Sequence, residues 1–134
     1  LNQLRHCKYF KNFDGIKNHM KRHAAIIQPK FSVVLYMLDK KIAPLGIGSW
    51  QKPKGGYFVS FDAMDGCAKR IVSLAADAGV VMTGAGATYP YGNDPHDSNI
   101  RIAPTFPTVD ELRQAMEIFC VCVKLASVEK LLAE

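Results

Sequence analysis

The chain has 134 residues, enough to bury the core of one domain and too few for two full ones. Its 49% hydrophobic and 22% charged residues exclude the disordered and collagen-like classes. The net charge of +5 comes from scattered lysines and arginines rather than an arginine-rich run, and no apolar stretch reaches the roughly 20 residues that span a bilayer, so neither nucleic acid nor a membrane is an expected partner.

The opening Leu-Asn-Gln-Leu-Arg-His has no signal-peptide layout and no initiating methionine. Residues 1–13 are therefore expected to be an interdomain segment of a longer protein. From Asp14, a plausible N-cap, Ile16, Met20, Ala24, Ile27, Phe31, Leu35, Leu38 and Ile42 recur every three or four residues and predict one long helix ending near Ala43. Pro29 lies within it and is expected to kink or break it, since proline removes a donor and crowds the carbonyl four residues back.

Gly46 to Trp50 reads as a short extended piece, followed by the turn Pro53-Lys54-Gly55-Gly56. In Tyr57 to Asp62 the alternation predicts a half-covered antiparallel strand with Tyr57, Val59 and Phe61 on one face. A second helix, capped by Asp62 or Asp65, carries Ile71, Val72, Leu74, Ala75 and Ala78 and stops at Gly79. Val80 to Thr83 reads as a strand, and Gly84 to Ser98, rich in glycine and proline, as a long loop. Asn99 to Ala103 is the next predicted strand. Thr108-Val109-Asp110-Glu111 is a capping-box sequence, and it opens a last helix with the stripe Leu112, Ala115, Met116, Phe119, Val123, Ala126 and Leu131. The order α-β-β-α-β-β-α places the chain in the α+β class, as a two-layer domain.

Few residues offer chemistry. Arg101 sits in a strand between β-branched residues, where its planar, permanently charged fork needs a partner. That partner is either a bound carboxylate or, in the blander reading, Asp97 or solvent. The small-residue run Thr83 to Thr88 lacks the spacing of a phosphate cradle and leads into Tyr89-Pro90-Tyr91 rather than a helix. His96 lies in an acidic turn with no second histidine at ligand spacing, and His19 and His23 lack a glutamate in the HExxH arrangement. No metal ligand is assigned. Cys120 and Cys122 point roughly 200° apart on a helix and are expected to be core residues. With Cys7 and Cys67 they read as reduced thiols of a cytoplasmic protein. No nucleophile is paired with a base, and no catalytic residue is assigned.

Two segments nevertheless carry a resemblance. Pro53-Lys54-Gly55-Gly56-Tyr57-Phe58 resembles the Pro-x-Gly-Gly-(Tyr/Met)-Phe segment of aminotransferase small domains. The stretch from Ala78 through the Gly84–Gly92 loop to Asn99-Ile100-Arg101-Ile102, with a helix from Thr108, is similar to that family's closing sequence. The chain thus resembles the C-terminal small domain of fold-type I, pyridoxal phosphate-dependent aminotransferases over its whole length, and is most like the aspartate aminotransferases. The resemblance implies a small, mainly antiparallel sheet packed against helices. It also implies that Arg101 pairs with the substrate α-carboxylate. By the same resemblance, the pyridoxal phosphate lysine belongs to a preceding large domain of the same chain, with Lys52 and Lys54 being surface groups, so this segment alone is expected to be inactive and to bind no cofactor covalently. The full-length enzyme is expected to be a homodimer moving an amino group from aspartate to 2-oxoglutarate. The competing class is a non-enzymatic small-molecule binding or interaction module.

Overall fold

The computed structural model describes all residues, 1–134. Helix α1 spans Asn2–Phe10 and α2 spans Phe13–Lys41. They are followed by β1 (Gly48–Trp50), β2 (Val59–Ala63), α3 (Ala68–Asp77), β3 (Asn99–Ile102) and α4 (Val109–Ala133). The strands form one antiparallel sheet in the order β1-β2-β3, with Trp50 opposite Phe61 and Ser60 opposite Arg101.

Pleating sends Val59, Phe61, Ile100 and Ile102 into the core, where all four are buried. Phe61 lies at the centre, stacked on Trp50 and edge-on to Phe119 of α4 at 5.3 Å between ring centroids. The second half of α2 contributes Val34, Met37 and Leu38, and α4 contributes Leu112, Met116, Phe119, Cys120 and Val123. Helices therefore cover one face of the sheet. The other face carries Ser49, Ser60, Asp62, Asn99 and Arg101.

The α+β two-layer architecture is as expected, and so is the capping box: the Thr108 amide donates to Glu111 Oε2 at 2.8 Å while the Glu111 amide donates to the Thr108 hydroxyl at 3.3 Å. Gly79 adopts φ +87°, the left-handed stop predicted for it. Cys120 and Cys122 are buried as expected.

Residues 2–10 form a helix, α1. Several expectations are corrected. Asn12, not Asp14, caps α2 through the Gly15 amide. The helix passes through Pro29 without breaking, because proline's fixed φ is helical and the residue faces solvent, where the carbonyl it deprives can be hydrated. The amides at the start of α3 go to Asp97 rather than to Asp62 or Asp65. Val80–Thr83, expected to be a strand, joins no ladder; with Arg101 and Ile102 of β3 it lines an open cavity of about 560 Å³. The predicted α2 stripe holds only in its second half, since Ile16 and Met20 are exposed, and Leu131 likewise lies outside the core.

Candidate functional site

The polar face of the sheet gathers the groups that can bind. Asn99, on β3, is only 6% exposed and saturates its side-chain amide. Its Nδ2 donates to Ser60 Oγ at 2.9 Å and to Asp62 Oδ1 at 2.8 Å, and its Oδ1 accepts from the Thr88 hydroxyl at 2.6 Å. Thr88 belongs to the long loop, so this amide fastens the loop to the sheet. Asp94 adds a second fastening by accepting from the amides of His96, Ser98 and Asn99. These bonds, the one to Asn99 foremost, hold its carboxyl below the usual carboxylate range.

Two residues along the same strand, Arg101 stands on this face and is half-buried. Its guanidinium lies over the Phe58 ring, with Cζ 4.3 Å from the centroid. No carboxylate of the chain pairs with it, and its Nε is buried without a hydrogen-bond partner. Asp97, the partner that the sequence offered for Arg101, is instead held at the start of α3, where it accepts from the Lys69 amide at 3.1 Å, and the Asp62 carboxylate accepts from Asn99 Nδ2. A guanidinium left with spare donors on a face of fixed polar groups is suited to receive an external anion with carboxylate geometry.

The other residues singled out in the sequence lie elsewhere. His96 pairs with Asp65 at 3.2 Å on the exposed surface. The His19 and His23 rings lie tilted at 47° with centroids 4.3 Å apart on the first half of α2, where desolvation, then His23 and Arg22, lower the His19 pKa. Lys52 pairs with Asp39 at 3.1 Å, and Lys54 lines a groove with His19, His23 and Tyr57. No three histidine, cysteine or acidic side chains converge as a metal centre. No helix is long and apolar enough to cross a membrane. Sequence reasoning found Arg101 but missed Phe58 and Asn99 as its neighbours; the alternation that puts Ser60 and Asp62 on the polar face was the signal available for finding them.

A family model described as aspartate amino-transferase matches residues 1–134. A Mycolicibacterium smegmatis protein named as an aminotransferase is 48% identical over the whole chain, which spans 31% of that relative. An aspartate aminotransferase of Corynebacterium glutamicum is 45% identical over 96% of this chain and 30% of its own length. The crystal structure of an aspartate transaminase from the same organism superposes with a TM-score of 0.93 at 45% identity, covering 96% of this chain and 30% of that one. The chain therefore spans about a third of the length of the proteins it matches.

Proposed function

Because the chain belongs to the aspartate aminotransferase family, we propose that it is the C-terminal, substrate-carboxylate-binding domain of a pyridoxal phosphate-dependent aminotransferase, with aspartate as amino donor and 2-oxoglutarate as acceptor. The observation that carries the reading is the Arg101 guanidinium, presented on the open sheet face without a carboxylate of its own.

Arg101 binds the α-carboxylate through two parallel N–H···O bonds and so fixes the orientation of the Cα–H bond. It moves no proton. Pyridoxal phosphate, when bound, supplies the electron sink for the carbanion that forms at Cα. The lysine that holds the cofactor is assigned to the remaining two thirds of the polypeptide, which also forms the homodimer. The Asn99 network keeps the loop and strand in register, so that Arg101 projects from a fixed base.

The test uses the full-length protein with pyridoxal phosphate. Its visible absorption is recorded before and after aspartate is added, beside Arg101→Ala and Arg101→Lys variants. The expected result is a cofactor band that aspartate shifts in the parent, with kcat/KM lower by roughly a hundredfold or more in the alanine variant, as befits loss of a charged, bidentate contact. Lysine is expected to restore little, because it lacks the planar fork. Equal responses in all three proteins would remove Arg101 from this role. The absence of a cofactor band in the parent would instead favour the small-molecule binding module.

A further inference from the structure

We infer that Phe58 is the positioning residue for Arg101, a shelf that holds the guanidinium in one orientation for the incoming carboxylate. The inference rests on the carboxylate-binding reading of Arg101 given above.

Ser60 lies directly opposite Arg101 in the ladder, and Phe58, two residues earlier, comes diagonally across from it on the polar face. An arginine on an open sheet face has four freely rotating side-chain bonds and would sweep a wide arc. Here two things stop it. The Phe58 ring contacts the cation with Cζ 4.3 Å from its centroid, an attraction between the ring's negative face and the positive charge. Burial of Nε fixes the inner end of the guanidinium, and because that atom has no acceptor, the packing around it rather than a hydrogen bond holds it.

The polar neighbours do not compete for the cation. Ser60 and Asp62 are bonded to Asn99 Nδ2, which keeps the one carboxylate on this part of the face turned to its own partner. With Nε sealed inside the chain, the two Nη groups are the donors left for a ligand. The aromatic shelf therefore does what a second-residue carboxylate commonly does for a functional arginine, without supplying a negative charge that would repel the substrate. Half of Phe58 remains exposed, so the ring also offers an apolar wall beside the carboxylate.

The experiment uses the full-length holoenzyme with Phe58→Leu, Phe58→Tyr and Arg101→Lys variants, each checked for an unchanged melting temperature. Two quantities are read. One is the ratio of kcat/KM for the preferred amino-acid donor to that for its α-carboxamide. The other is the Kd, by calorimetry, of the α-methyl form of that donor, which carries the carboxylate but has no Cα–H to lose. Phe58→Leu is expected to lower the ratio about tenfold and raise the Kd about tenfold, with Phe58→Tyr within about twofold of the parent because it keeps the aromatic face. Arg101→Lys collapses the ratio. If Arg101→Lys collapses it while Phe58→Leu slows both donors equally, Phe58 is a packing residue and the inference fails alone. If Arg101→Lys also leaves the ratio unchanged, the carboxylate-binding reading fails with it.

Discussion

Asp97 caps a helix, α3, that starts far before it in the chain at Ala68: its carboxylate accepts from the Lys69 amide at 3.1 Å, and its carbonyl accepts from the Ala68 amide at 2.8 Å. Two of the four orphan donors at the start of α3 are thereby satisfied by the loop that precedes β3. Asp97→Ala is expected to lower stability by about 1 kcal/mol, and Asp97→Asn by much less, since its amide oxygen can still accept. Urea unfolding midpoints decide this; equal midpoints for wild type and Asp97→Ala would show that the cap is idle.

Asn99 is the costlier loss. Asn99→Ala strands the Thr88 hydroxyl, the Ser60 hydroxyl and the Asp62 carboxylate together, so about 2 kcal/mol of destabilisation is expected. Limited proteolysis between residues 84 and 98 should also accelerate, as the loop loses one fastening. Stability lost without faster cleavage there would mean that the bonds of Asp94 and of the loop backbone, such as the Gly86 amide to the Asn99 carbonyl, are enough to anchor the loop.

Gly48 is required by space rather than by backbone angle. A Cβ at that position would sit 2.5 Å from Cζ of Phe61, whose ring is fully buried and held between Trp50 and Phe119. Gly48→Ala is expected to cost about 1–3 kcal/mol through overpacking. A double variant with Phe61→Leu should recover part of that deficit relative to Phe61→Leu alone, which a thermal melt of the four proteins would resolve.

Below neutrality, Asp94 should govern part of the acid limb. Its folded-state pKa is lowered, so its stabilisation is complete above the ordinary aspartate value of 3.8 and disappears as pH falls through the lower folded value. Melting temperatures measured from pH 6 downward are expected to drop less steeply in Asp94→Asn than in wild type. Parallel curves would show that the three amide bonds do not select the ionised form.

At alkaline pH the thiols take over. Burial pushes Cys120 up to about 11, against the opposing charges of Lys41 and Lys124. A raised folded value means full stabilisation below the ordinary thiol pKa of 9.0, declining as pH rises toward 11. At pH 8 iodoacetamide should label exposed Cys7 and spare buried Cys67, Cys120 and Cys122, with all four reacting in urea. Rapid labelling of Cys120 in the native protein would contradict its burial.

Much of this was written locally. The period-two alternation of Val59, Ser60, Phe61 and Asp62 assigned β2 its buried and polar faces, the Thr108–Glu111 box marked the start of α4, and Arg101 stood out as a charge inside an apolar strand. Those signals are legible because they arise between residues a few positions apart, from side-chain periodicity and from capping. The resemblance of two segments to aminotransferases came from the same short stretches. Only the tertiary structure decided which half of α2 is buried, that Val80–Thr83 lines a cavity with β3 instead of joining a ladder, that Asp97 serves α3 instead of Arg101, and that Phe58 lies against the guanidinium. Each of these is a choice among several chemically acceptable partners distant in sequence, and such a choice is settled by which groups the packed core brings within hydrogen-bonding or van der Waals reach.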